Sequence, residues 1–343
     1  MVQGRYAGID GSTISQELQV ECDKYIAPVN STAEAQDAEE QVAATIEKFI
    51  MPDVYTYLRN AENKYSTMKT LLYNDQPKPF YSFYVCNRIR YRGMDSRVGR
   101  HPQNMQFLED VTVEKIKQYS HFAIIIGTGG LGKSMMMRHL MLNAIANFDD
   151  LKLFPVFVPL KDFDETADSL FDYTYAKIGL FDSNLTDKQF EQLLVRGSCL
   201  LLFDGLDEIG VGSVKRFERD LEALTDKYSG NIFILSSRPF QSFVSYERFS
   251  LLRLMPFHPR QAMQLIDRLE FRPDEPAIKK KFQSALEKML FRSHRSFTEN
   301  PLLLTIMLLT FEQFAEVPSK MHIFYREAFE VLAKRHDASK GAY

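Results

Sequence analysis

Cysteine is scarce in this chain. Its 343 residues hold three, Cys22, Cys86 and Cys199. An odd number, spread apart, argues against a disulfide framework and a structural zinc cluster, and fits a reducing compartment. A charge imbalance is also missing: 42 Lys and Arg against 45 Asp and Glu leave a net charge of −3, so no overall basic field favours nucleic acid or a membrane surface. Long apolar runs are absent too. The longest, "PLLLTIMLLTF" from Pro301 to Phe311, falls well short of the ~18 residues that cross a bilayer and reads as a buried helix. The start, "MVQGRYAGIDG", lacks the apolar core of a signal peptide. A cytoplasmic location is expected. What remains is ordinary for a globular chain of two or three domains, 45% hydrophobic and 25% charged, with no internal repeat.

Residues 1–30 carry little pattern. From Ser31, capping residues, early Glu39 and Glu40, and Val42, Ile46 and Ile50 at steps of four predict a helix. A second helix is expected over "YTYLRNAENKYSTMKTLLY", then a break at "NDQPKP", then a strand at "FYSFYVC". The arginines of "NRIRYRGMDSRVGRH" (Arg88, Arg90, Arg92, Arg97 and Arg100) read as a solvated connection in preference to a phosphate- or partner-contacting one. His101 and His121 stand alone and read as structural, and Cys86 reads as packing.

Beyond this point apolar runs alternate with helical patterns. The runs fall at 122–126, 153–160, 199–204, 231–237 and 249–257. Near-continuous apolar strands separated by helices predict an α/β fold with a parallel sheet covered on both faces. After Pro259 only helices are expected, at 259–270, 276–289, 301–315 and 320–335.

"GTGGLGKS", Gly127 to Ser134, fits the phosphate-loop pattern and lies between the first of these strands and a helix. Gly127, Gly129, Gly130 and Gly132 let backbone N–H groups turn inward as an anion nest, with Thr128 and Leu131 between them. The helix N-terminus, opening with Lys133, Ser134 and Met135, adds its dipole. Lys133 would reach the β- and γ-phosphates, and Ser134 would offer a hydroxyl to Mg²⁺.

Such a site needs an acid on a neighbouring strand, and Asp204 ends the apolar run "CLLLFD". Asp207 and Glu208 follow. In an extended chain Glu208 would lie ~13 Å past Asp204, too far to share one phosphate. A bend at Gly205 would bring both acids back, and one of them would orient or deprotonate the attacking water. Spacing leaves open which one. "ILSSRP" ends another apolar strand. There Ser236 and Ser237 are candidates to bond water or phosphate, and Arg238 is either a γ-phosphate sensor or the partner of a local carboxylate.

In this order "GTGGLGKS", "LLLFDGLDEI", "ILSSRP" and "ENPLLLTIM" resemble the NACHT branch of the STAND ATPases. The family's mark is a small residue after the metal-binding aspartate and then an acidic pair, matched by Gly205, Asp207 and Glu208. The resemblance implies a P-loop NTPase sheet of order 5-1-4-3-2, then an all-helical domain, then a winged helix. It implies ATP or ADP with Mg²⁺ on Ser134 and Asp204, Arg238 as the first sensor, and Pro301 against the nucleotide base. Pro301 also suits the first position of a helix after an Asn cap. No Asn-Lys-x-Asp guanine-reading motif is present, which agrees with ATP. The domains implied are an N-terminal mainly helical region at 1–110, the nucleotide-binding domain at 111–257, the helical domain at 258–316, and the start of a winged helix at 317–343, read as truncated. Bacterial members resemble animal NOD-like receptors and act in antiphage defence. That implies a switch resting with ADP, self-associating with ATP and hydrolysing slowly, triggered by a phage-derived or other protein through a C-terminal sensor. A constitutive ATPase that remodels a macromolecule is the alternative.

Overall fold

The computed structural model describes residues 51–73, 76–92, 105–163, 169–181, 184–239, 243–314 and 326. The chain divides into two compact units, 1–56 and 57–343. Within the first, residues 51–56 are helical. The expected helices at 31–50 and 320–335, the winged helix, Cys22, Arg97, Arg100 and His101 lie outside the described residues.

The second unit opens with helical residues 57–65. A two-stranded ribbon follows, β1 (Thr67–Met68) antiparallel to β2 (Lys78–Pro79). The expected second helix is therefore shorter, ending where the chain turns into β1. The central sheet takes β3 (Ile89–Arg92), β4 (Met105–Leu108), β5 (Phe122–Ile126), β6 (Phe154–Pro159), β7 (Cys199–Asp204), β8 (Ile232–Ser237) and β9 (Ser250–Leu254) in the order β4-β3-β9-β5-β8-β7-β6. The five strands from β5 onward are parallel, and numbered among themselves they run 5-1-4-3-2. This is the expected P-loop order.

Helices α1 (Val113–Tyr119), α2 (Lys133–Ala146), α3 (Leu170–Gly179), α4 (Asp187–Val195) and α5 (Val214–Lys227) flank the sheet segments in sequence. All of β8 and the first five residues of β7 are buried, which is why these strands read as unbroken apolar runs. Helix α2 buries Met136, Met137, Leu140, Met141, Leu142 and Ala144. Helix α5 instead buries one stripe, Phe217, Leu221 and Leu224, and carries charge elsewhere. Then come α6 (Pro259–Arg268), α7 (Pro276–Ala285), which runs on as a π turn over Leu286–Leu290, and α8 (Pro301–Phe314).

Two expectations are corrected. "FYSFYVC" is not a strand. Phe80–Ser82 form a 3₁₀ turn, and Phe80, Phe83 and Tyr84 are buried together. That i, i+3, i+4 spacing belongs to a helical turn, and β propensity misled. The arginine-rich stretch is not merely a solvated connection either. Residues 89–92 form β3, antiparallel to β9 and β4, and extend the parallel sheet by two antiparallel strands. Ile89 is fully buried and sits between Arg88 and Arg90, so period-two alternation was present under the charges.

Candidate active site

The carboxyl ends of β5, β7 and β8 lie side by side and hold the candidate site residues. At the first, the Gly127 N–H donates to the Ser237 carbonyl at 3.1 Å, anchoring the loop to β8. Gly130 and Gly132 have φ of 78° and 97°. These left-handed angles turn successive peptides as an anion nest requires. Gly132 also caps α2, whose first residue is Lys133. Lys133 Nζ donates to the carbonyls of Gly127 at 2.8 Å and Thr128 at 3.4 Å. Burial lowers the pKa of this ammonium, opposed by the carboxylates of Asp207, Asp204 and Glu208. All three acids thus act on the one cation, as the bend at Gly205 required.

Asp204 ends β7. Its carboxylate accepts from the Ser236 hydroxyl and lies near enough to the Ser134 side chain to be acted on by it. Ser236 in turn accepts from the Gly205 N–H at 2.9 Å, so it ties the ends of β7 and β8 together and is not free for a phosphate. Burial raises the Asp204 pKa, with the Ser236 and Ser134 hydrogen bonds opposing. A carboxyl raised in this way gains nothing from folding once pH exceeds its raised pKa, so wherever it is ionised the buried charge costs stability. Asp204→Asn is therefore expected to raise the melting temperature of the nucleotide-free chain by about 1–3 °C and to abolish the extra stabilisation given by Mg²⁺ with ATP. Calorimetry with and without Mg²⁺ checks both, and a lowered melting temperature would contradict the account.

Gly205 has φ 89° and ψ 50° and starts the 3₁₀ turn Leu206–Glu208. The turn separates the two acids. The Asp207 side chain is 5% exposed. Its Oδ2 pairs with Arg238 Nε at 3.1 Å and its Oδ1 accepts the Arg238 backbone N–H at 2.9 Å. Arg238 therefore has the carboxylate partner that was one of its two readings. Glu208 is exposed, its carboxylate has no hydrogen bond or ion pair among the described residues, and it folds over Gly205, where an added Cβ would meet its Cδ at 3.2 Å. Gly205→Ala combines left-handed strain, roughly 1 kcal/mol, with displacement of Glu208. Hydrolysis is expected to fall about tenfold to a hundredfold while ATP binding holds. Equal turnover by the variant would break the link between the bend and the acid.

Beside the loop lies an apolar cavity of about 220 Å³, walled by Phe83, Val85, Leu131, Met135, Leu265 and Pro301 among others. Pro301 opens α8, and Asn300 acts both as its cap and as a bridge. Asn300 Oδ1 accepts from the N–H groups of Leu302 and Leu303 at 3.1 and 3.2 Å, and its Nδ2 donates to the Gly129 carbonyl at 2.9 Å. Leu302 N–H reaches the Gly130 carbonyl at 3.4 Å. A Cβ on Gly130 would lie 2.6 Å from Asn300 Oδ1, so only glycine permits this approach.

The profile of the NACHT domain family matches residues 121–274, a span that holds β5, the glycine loop, the acidic turn and Arg238. Residues 121–274 are a NACHT domain. With its parallel sheet and glycine loop, the NACHT domain makes this chain a nucleotide-binding P-loop NTPase. No curated protein matches the chain. Among solved structures it is similar to domain III of the Thermotoga maritima replication initiation protein DnaA, at 15% identity and TM-score 0.32, over 57% of this chain and 88% of that one. It is also similar to a point mutant of Thermotoga maritima RuvB, at 13% identity and TM-score 0.32, over 60% of each chain, and to C. elegans PCH-2, at 12% identity and TM-score 0.34, over 64% of each. The chain thus spans about three fifths of those RuvB and PCH-2 chains.

The NACHT family implies nucleotide and Mg²⁺, and the residues present fit both. Ser134 and Asp204 supply hard oxygen donors, the set that suits Mg²⁺ when phosphates and water complete its shell. Among the described residues no cluster of three or more His, Cys, Asp or Glu could hold a metal ion. No helix among the described residues is long and apolar enough to cross a membrane.

Sequence reasoning missed Asn300 as a contact of the loop, and missed the cavity walls at 68–71 and 83–87. The aromatic spacing would have revealed the turn at Phe80. Nothing in "TMKTLL" marks it as a wall.

Proposed function

We infer that the chain is an ATP-dependent switch that rests with ADP, self-associates when ATP is bound, and hydrolyses ATP slowly. The observation that carries this reading is the bridge from Asn300 and Leu302 to Gly129 and Gly130. It couples the helices after the sheet to the loop that would hold the phosphates, so a γ-phosphate can favour one of two domain packings.

The proposed chemistry uses the residues as follows. Lys133 exchanges its loop carbonyls for phosphate oxygens, and the N–H groups of 127–134 cradle the β-phosphate. Ser134 and Asp204 would hold Mg²⁺, which would neutralise phosphate charge when bound. Glu208, the carboxylate without a partner, takes the proton of the attacking water. Asp207 positions Arg238, whose planar fork suits a γ-phosphate oxygen. Pro301 and the apolar cavity receive the base.

A phage-derived or other protein trigger and a role in bacterial antiphage defence rest on the resemblance to bacterial NACHT proteins. Mass spectrometry of the co-purified nucleotide, with steady-state turnover, tests the switch. Tightly held ADP and turnover far below one per second are expected. An empty site with turnover of about one per second or more would favour the remodelling ATPase. For the defence role, loss of phage protection by Lys133→Ala in the full-length protein is expected, and unchanged protection would sink it.

A further inference from the structure

One face of the central sheet is only partly covered. Cross-strand pairing places Phe203, Leu235, Ile124 and Leu251 in one row across β7, β8, β5 and β9. A second row on the same face runs Ser237, Ile126, Arg253, Arg90 and Phe107, out to the marginal strand β4. Helix α5 lies over this face through Phe217, which packs on Phe203. Beyond it Leu251 and Phe107 are 44% and 46% exposed. The helix therefore stands beside a bare margin, as a step.

Arg90 and Arg253 are direct cross-strand neighbours on that margin. Like charges so placed repel. Neither guanidinium has an ion pair or hydrogen bond among the described residues. Arg88 lies on the same side, over the Phe107 ring at 5.4 Å. Nothing in the described part of the margin offsets this charge except Glu109, 3.9 Å from Arg88.

The foot of the step has the opposite charge. Between α5 and the start of β9 lies a cavity of about 420 Å³, lined by Glu218, Glu222, Asp226, Tyr246, Glu247 and Phe249 among others. Asp226 is taken by Arg248 at 2.7 Å. Glu222 and Glu247 are exposed, and their carboxylates form no ion pair among the described residues. Tyr246 is 5% exposed, and its buried hydroxyl has no hydrogen-bond partner, although the Glu218 carboxylate is near enough to act on it. A guanidinium suits this lining, because its planar fork carries five donors. The chain's own Arg253 does not supply it, for it lies four residues, about 13 Å, along the chain from Phe249.

We propose that this face pairs with the same face of a second copy about a two-fold axis, so that Arg90 and Arg253 of each copy meet Glu222 and Glu247 of the other. Adjoining patches of opposite charge make the face self-complementary, as a two-fold interface requires. Leu251 and Phe107 add apolar contact. The phosphate loop and the acidic turn take no part. The pairing therefore belongs to the nucleotide-free chain and is separate from the ATP-driven self-association inferred above.

Sedimentation velocity on the intact chain without nucleotide, at low and high salt, tests it. The parent should pair at low salt and dissociate at high salt. Arg90→Glu with Arg253→Glu, and Glu222→Lys with Glu247→Lys, should each weaken pairing at least about a hundredfold. An equimolar mixture of the two double variants should pair again, since each reversed patch then meets a reversed partner. A parent that is monomeric at low salt, variants that pair as the parent does, or a monomeric mixture of variants that melt like the parent would overturn the assignment. A monomeric parent that instead binds polyglutamate through Arg90 and Arg253 would overturn it in favour of a foreign acidic partner.

Discussion

Glu208→Gln is expected to bind ATP as tightly as the parent and to hydrolyse it about a hundredfold to ten-thousandfold more slowly, the usual span for loss of a general base. Asp207→Asn should behave differently. The Asp207 carboxylate is committed to Arg238 through both oxygens, so its neutral analogue weakens the hold on that guanidinium and still leaves Glu208 free. A smaller loss, about tenfold, with some loss of thermal stability, is expected. Single-turnover hydrolysis and nucleotide binding on both variants decide the matter. A larger kinetic defect in Asp207→Asn than in Glu208→Gln would reverse the roles. The contrast arises because two adjacent acids on a 3₁₀ turn point in different directions.

Lys133→Met should reduce ATP affinity about a hundredfold and hydrolysis further, since it removes a charge-assisted phosphate contact aimed at the position where negative charge develops. Methionine retains the apolar stem, so packing is largely preserved. Burial lowers the Lys133 pKa. The charged form is therefore disfavoured by folding, and the cost is present wherever the folded chain keeps this lysine protonated. The variant should melt no lower than the nucleotide-free parent. Loss of binding with unchanged or raised melting temperature is the expected joint result. Loss of both would make the lysine a folding residue instead.

The two corrections in the fold share a cause. Arginines alternating with Ile89 and Tyr91 looked like solvent-facing charge, because a strand at the margin of a sheet exposes one face. The aromatics at 80–86 looked like a strand because their β propensity was read without their spacing. In both places local composition was outweighed by what the rest of the chain offered as a partner.

The sequence by itself determined the phosphate loop, the buried apolar strands, Asp204 at the end of β7 and the bend at Gly205. Each follows from local physics: glycine's access to positive φ, an apolar run long enough for a buried strand, and a cation at a helix N-terminus. It could not separate Asp207 from Glu208, because both belong to one acidic turn and differ only in what stands beside them. The tertiary structure gives the two acids different neighbours. The end of β8 brings Arg238 against Asp207 and leaves Glu208 without a partner, and the cap of α8 brings Asn300 onto Gly129. Both contacts join residues far apart in the chain, and such pairings depend on strand order and helix placement, which no local pattern encodes.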